Sequence, residues 1–532
     1  MDFRLWALDF SLRAMSQMLK SSGSMAAATL TSRLFGLVRE MVYARFMGVG
    51  WVTDAFMFAF TIPNLFRRLL GEGALTAAFI PVFKEKEKTH GEIEMWRAAN
   101  AVISGLVIAA SVIVALVLAG ISIALAVHQF ETKTELMLHL LRWMFPYMLL
   151  VCLAAVFMGM LNARGHFFIP AMGATMLNIV MIASVLWLAP RMGHKLPEQI
   201  FGLAIGVLAA GAAQAAFQLP SLWHEGLRYH WVSPWQNETV RTVVTRMIPG
   251  TIGVAAFQIN VLLVQALAFW VGTGILSSFT YAVRLMEFPQ GMFGISLATY
   301  MLPTLSGLAA EKNYAEFRST LRQGVSALIF LNLIAAILLV VLAEPIVRLL
   351  FQHGKFNALD TNGAAFALMC LAPGLVAFSS VNILARAFYA LGDVKTPMKI
   401  SIACLAVNFV LAAALIVPLK QGGLGLANTI TSICNVCLLL YWLRRKLTRL
   451  EMEPLRATFL PLVIAGTLAG LIAWLGWRFW ESALGHKTLA LKIGEVFAPA
   501  GIAGLVYWLM ALACKIPAAK EMADFAFARF KR

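Results

Sequence analysis

SMAAATLTSRLFGLVREMVYARFMGVGWVTDAFMFAFTIPNLFRRLLGEGALTAAFIPVF, residues 24–83, is apolar enough to cross a membrane twice, yet it carries Arg33, Arg39, Glu40, Asp54, Arg67, Arg68 and Glu72. A charge at the bilayer centre costs at least ~2.5–3.5 kcal/mol on insertion scales. A chain that keeps so many in its first two spans is expected to use them. The same stretch decides the fold class. Backbone in lipid must satisfy its own hydrogen bonds, which leaves helices or closed barrels, and apolar runs of this length are far too long for barrel strands.

Working outward, similar runs recur along all 532 residues, of which 60% are hydrophobic and 13% charged. Soluble globular proteins average ~25% charged residues. The chain therefore reads as an all-α polytopic membrane protein. At ~20 apolar residues per helix it holds about fourteen spans. They are centred in 24–48, 53–82, 99–127, 136–162, 167–190, 199–223, 244–271, 276–306, 321–346, 362–391, 397–419, 422–443, 457–479 and 490–514. The net charge of +17 fits basic cytoplasmic loops facing anionic lipid, so the phospholipid bilayer is the expected surroundings and nucleic acid is not an expected partner. Residues 1–23 lack a clean apolar core for a cleavable signal.

Lys and Arg concentrate after even-numbered spans: Lys84, Lys86, Lys88 and Arg97, then Arg164, Arg228, Arg241, Lys312, Arg318, Lys395 and Arg444–Arg445–Lys446. Loops after odd-numbered spans are poorer in them, so both termini are expected in the cytoplasm. The chain also repeats itself. Pro146 and Pro170 recur as Pro373 and Pro397, each 227 residues on, Pro190 recurs as Pro418, 228 on, and LTAAFIP ending at Pro81 recurs as LATYMLP ending at Pro303, 222 on. Proline kinks a helix, so the pattern predicts two six-helix pseudo-symmetric lobes, 1–234 and 235–450. They form a parallel repeat of the kind that rocks about a central site. Residues 451–532 add two further helices and a cytoplasmic tail.

Arg33 and Arg39 are six residues apart, about 120° around an ideal helix, with Gly36 between them to permit close packing or a local bend. Arg68 and Glu72 are spaced i,i+4 and Arg284 and Glu287 i,i+3, both suited to ion pairs. Guanidinium gives planar bidentate contact to phosphate and stays charged. Arg33, Arg39, Arg67 and Arg284, drawn from both halves, are thus candidates to clamp one polyanion. Glu40, Asp54, Arg68, Glu72 and Glu287 would tether arginines or close a gate. Snorkelling to an interface or simple neutralisation of an acid is the competing reading, favoured for Arg68 and Arg45. Cys434 and Cys437 are spaced CxxC without a second pair or histidine and read as packing residues. His166 and His353 lack metal-ligand spacing. No phosphate-binding loop, HExxH or nucleophile elbow is present, so neither an enzyme nor a cofactor or metal site is expected.

The run S-R-L-F-G-L-V-R-E from Ser32 resembles the start of the MurJ (MviN) lipid II flippase family, within the multidrug/oligosaccharidyl-lipid/polysaccharide exporter superfamily. So do T-D-A-F from Thr53, P-N-L-F-R-R-L-L-G-E-G-A from Pro63, R-L-M-E-F-P from Arg284 and R-A-F-Y-A-L-G-D-V-K-T-P from Arg386. The resemblance runs from about residue 24 to the C-terminus and includes the two added helices. It implies a flippase of the bacterial inner membrane, moving lipid II, the undecaprenyl-diphosphate-linked peptidoglycan precursor, by alternating access. By motif, Arg33, Arg39, Asp54, Arg67 and Arg284 match the family's cavity charges, and Glu72 the acid of its cytoplasmic-side gate. The resemblance also implies a greasy groove, partly from the added helices, for the lipid tail. Where many relatives carry Asp, this chain has Glu40, which keeps the charge, and Val283, which loses it. No Asp or Glu lies in spans seven, eleven or twelve. A carboxylate sodium site there is therefore not expected, and membrane potential is the alternative driving force. A cation-coupled drug or metabolite exporter is the competing transport function. A membrane scaffold for cell-wall synthesis enzymes is the competing class.

Overall fold

In a computed structural model, the described residues are 31–69, 75–447, 449–450 and 453–520, and their regular structure is helical throughout. Two compact units divide the chain, Met1–Leu262 and Leu263–Arg532.

The first unit contains α1 (31–47), α2 (Trp51–Phe66), α3 (Thr76–Val127), α4 (Thr132–Met144), α5 (Tyr147–Ala163), α6 (Phe168–Ala183), α7 (Leu196–Ala216), α8 (Leu219–His224) and most of α9 (Glu238–Val271). Its core joins Phe79, Phe83, Trp96 and Val102 of α3 to Val156, Phe157 and Met160 of α5. Phe83 meets Trp96 edge-to-face at 5.5 Å, and Phe66 at the end of α2 meets Phe145 in the same way at 5.7 Å. Lys84, Lys86 and Lys88, expected in a loop, lie on α3, which breaks only at Gly91. Arg164, just past α5, binds Glu87 at 2.6 Å, Glu92 at 2.9 Å and Glu225 at 2.6 Å. His166, expected to be a loop residue without ligand-spaced partners, lies 2.8 Å from the other oxygen of Glu225.

The second unit contains α10 (Ile275–Pro289), α11 (Ser296–Ala310), α12 (Tyr314–Val341), α13 (Ala343–Phe351), α14 (Ala358–Leu371), α15 (Leu375–Ala390), α16 (Lys395–Leu419), α17 (Gln421–Leu447), α18 (Glu453–Ala483) and α19 (Leu489–Ala513). Lipid tails are as apolar as leucine, so helices associate in a membrane through close packing and small residues. Accordingly Ala465, Ala469 and Ala473, four apart along one face of α18, are fully buried. Tyr507 of α19 stacks on Phe330 of α12 at 5.2 Å and donates its hydroxyl to the Phe330 carbonyl at 3.0 Å. Cys434 and Cys437 are exposed free thiols, so they do not serve as core packing.

Eleven described helices are long and apolar enough to cross a membrane, or twelve if α4 and α5, bent by 43° at Phe145–Pro146, make one span. The chain is a multi-pass membrane protein. The two other expected spans fall on α1 and α2, of which the described parts are shorter. The internal repeat is visible in helix breaks. The α4–α5 break at Pro146 recurs between α14 and α15 at Pro373, α5 and α15 end 227 residues apart, and α6 and α16 begin 227 apart. Both α5 and α15 end on a left-handed glycine, Gly165 (φ +88°) and Gly392 (φ +74°). The next amide reaches back in each case, His166 to Leu161 at 2.9 Å and Asp393 to Phe388 at 2.9 Å. This is the Schellman closure, which favours glycine because a side chain disfavours that φ. Pro170 and Pro397 turn out to occupy the first turns of α6 and α16 rather than kink them, a position where the missing N–H costs nothing.

In the second unit Arg348 of α13 is the hub of a buried charge cluster. Its guanidinium is 2.6 Å from Glu495 of α19 and 3.4 Å from Glu481 of α18, and it also binds Glu344 on its own helix. Trp477 donates its indole N–H to the same Glu495 oxygen at 3.0 Å. Removing one partner of a buried pair leaves a naked charge and costs ~3–5 kcal/mol. Arg348→Ala is therefore expected to lower the unfolding midpoint of the detergent-solubilised protein well beyond the effect of an exposed arginine change such as Arg33→Ala, read by thermal denaturation.

Asp393, beside the ammonium of Lys446 at 2.8 Å and the Thr396 amide, is held down at about 2. An acid depressed in the fold adds stability above its unfolded value that is lost as pH falls through the folded one. The stability difference between wild type and Lys446→Met should thus be constant near neutral pH and close as pH falls from about 4 towards 2, measured by denaturation across that range.

Candidate functional site

Helix α1 carries the first pair of candidate arginines. Arg33 is exposed and Arg39 largely covered, as their angular separation predicts. Arg39 Nη2 lies 2.6 Å from Glu40 Oε1, and Glu40 itself is buried. The same guanidinium sits over the Tyr43 ring at 5.4 Å, a cation–π contact that suits a weakly hydrated cation. Gly36 faces Asn178 of α6, whose amide donates to the Ser32 carbonyl at 3.1 Å. The distance from Gly36 to Asn178 is ordinary van der Waals contact, so no tight packing depends on this glycine, and the hydrogen bond ties the start of α1 to α6.

The turn into α2 is closed by Thr53, whose hydroxyl donates to the carbonyls of Met47 and Gly48 at 3.1 and 3.2 Å. Asp54 follows in the first helical turn, fully buried. Its ion pair is with Lys133 of α4 at 3.4 Å. Lys133 is itself only 12% exposed. The signal available in the sequence was its place in a connection otherwise poor in basic residues.

At the far end of α2, Arg67 Nε donates to Asn64 Oδ1 at 2.8 Å, and the helix loosens into a π turn at residues 67–69. Such turns commonly occur at functional sites. Arg68 is half-buried there. Glu72, and with it the expected Arg68–Glu72 pair, lies outside the described residues. In the second unit α10 offers the matching arrangement. Arg284 pairs with Glu287 at 2.8 Å, as its i,i+3 spacing predicts, and the helix passes at Pro289 into a π segment over Gln290–Ile295. Both side chains are more than a third exposed, so the pair contributes little stability, about 0–1 kcal/mol, and its charges are accessible.

Of the candidate residues, Arg33, Arg39, Glu40, Asp54, Arg67 and Arg68 belong to the first unit and Arg284 and Glu287 to the second.

A family model described as lipid II flippase MurJ matches residues 43–493. Its match starts beyond Arg33, Arg39 and Glu40 and takes in α18 with the start of α19. A probable lipid II flippase MurJ of Vibrio cholerae is 34% identical over 500 residues, covering 89% of this chain and 94% of that protein. The lipid II flippase MurJ of Burkholderia cenocepacia is 32% identical over 461 residues, covering 85% and 89%. Among solved structures, a lipid II flippase MurJ in an inward closed conformation superposes with a TM-score of 0.71 at 22% identity, covering 91% of this chain and 97% of that one. An inward-facing multidrug resistance MATE transporter of the MOP superfamily follows at TM-score 0.62 and 14% identity, covering 81% and 99%, a likeness of fold. By the extent of the family match and the identity to these relatives, the chain belongs to the lipid II flippase MurJ family.

Proposed function

We propose that this chain carries lipid II across the bacterial inner membrane by alternating access of two six-helix lobes, 1–234 and 235–450, without chemical conversion of the substrate. Arg33, Arg39, Arg67 and Arg284 receive the diphosphate, and Glu40, Asp54, Arg68, Glu72 and Glu287 hold or release those cations as the lobes move. Lys133 belongs with this group. Both termini face the cytoplasm, the membrane potential supplies ~2.3 kcal/mol per charge per 100 mV, and cytoplasmic loops contact cell-wall synthesis enzymes. The single observation that supports the reading best is Arg39. It is a guanidinium drawn into an apolar helix, paired with the adjacent Glu40 and set over the Tyr43 ring, and a doubly charged ligand would compete with Glu40 for it.

Charged hydrogen bonds contribute ~1.5–3 kcal/mol each, which corresponds to roughly 10–100-fold. Arg39→Ala should lower lipid II transport by that factor at normal protein abundance, read by headgroup accessibility at the outer leaflet and by complementation of flippase-depleted cells. Wild-type growth on this variant would overturn the reading.

Lys133→Met should remove the ion pair of the buried Asp54 carboxylate and destabilise the protein. The double variant Lys133→Met/Asp54→Asn should recover the melting midpoint while transport stays low. Full transport in the double variant would make the pair structural.

A further inference from the structure

The Arg348 cluster holds more acid than its arginine neutralises. Glu344, Glu481 and Glu495 surround one guanidinium, with Lys492 of α19 and Arg478 of α18 as the further cations facing the cluster. Arg478 is 59% exposed and stacks over the Trp477 ring at 5.1 Å, turned towards the surface. Glu495 is fully buried, and its two oxygens differ. Oε1 accepts from Arg348 and Trp477. Oε2 is buried and accepts no hydrogen bond among the described residues. A buried carboxylate oxygen left without a donor is costly, and it asks for a proton or a cation.

The groups around it are metal ligands by type and distance. A carboxylate oxygen of Glu481, a ring nitrogen of His486 and a carboxylate oxygen of Glu495 all lie within 4.8 Å of one another. The hairpin between α18 and α19 supplies all three within fifteen residues, with Gly485 (φ +67°) making the turn. From these observations we propose that Glu481, His486 and Glu495 form a divalent-cation site of the zinc class, with Arg348 as its outer support. One imidazole and two carboxylates suit zinc better than calcium or magnesium, which prefer oxygen alone. Arg348 faces His486 Nδ1 at 3.3 Å, so the imidazole lone pair already points into the cluster. The two long contacts of Arg348, to His486 and to Glu481 at 3.4 Å, are the ones a metal replaces. The contacts to Glu495 Oε1 and Glu344 persist and orient the ligand carboxylate. On the orientation proposed above, this end of the α18–α19 hairpin faces the outer compartment, where metal arrives without crossing the membrane. The site is independent of how lipid II is held.

The test uses the full chain purified without a histidine tag, stripped with chelator, reloaded with zinc and desalted. Elemental analysis should find about one zinc per chain, and zinc should raise the thermal unfolding midpoint. His486→Gln and Glu481→Gln, at positions that are not fully buried, should each retain less than a tenth of the metal and lose the zinc-induced shift while melting cooperatively without metal. Glu495→Gln should do the same if it folds, and the other two variants carry the test if it does not. No zinc retained by the wild type, or equal retention in the variants, overturns the proposal.

Discussion

A charge taken out of water into lipid is tolerable only with a partner, and that requirement governs where this protein places its ionisable groups. Asp54 and Lys133 meet beneath the surface of the first unit, Arg39 leans on Glu40 and Tyr43, and Arg348 gathers three carboxylates in the second. The surrounding helices are held by small-residue packing and aromatic edges, forces too short-ranged to move a misplaced charge. The ion pairs therefore fix which helix faces are turned inward, and packing follows.

These pairs differ in kind. Arg348 is held from α13, α18 and α19 at once, so it fastens elements together. Arg39 is held by its immediate neighbour, and Arg284 by a residue one turn away with both side chains accessible. A pair within one helix does not by itself tie that helix to another. On the function proposed above, bidentate guanidinium–phosphate contact would change the charge balance of α1 and α10 and leave the Arg348 cluster untouched.

Much of the fold was legible because long apolar runs admit few structures in lipid. The 227-residue proline offset anticipated helix ends that repeat to the residue, although the prolines at 170 and 397 start helices rather than bend them. The Arg284–Glu287 pair was readable because i,i+3 spacing is a property of one helix. Lys133 opposite Asp54, and Arg348 opposite Glu481 and Glu495, were not. Their partners lie on helices 79 to 147 residues away in sequence, and only tertiary packing brings them together. Local spacing reveals local pairs, and in a protein of near-uniform apolar helices nothing in the intervening sequence points to the distant ones.

The loosened turns after α2 and α10 carry one further implication. A π turn stores a surplus residue, so the helix beyond it is out of phase with the helix before it by roughly 100°. Sliding that surplus by a few positions swivels the intervening side chains around the axis while the hydrogen-bond ladder re-forms behind it. Residues 67–69 and 290–295 are the described places beside the candidate arginines where such a shift would turn a guanidinium about its helix axis.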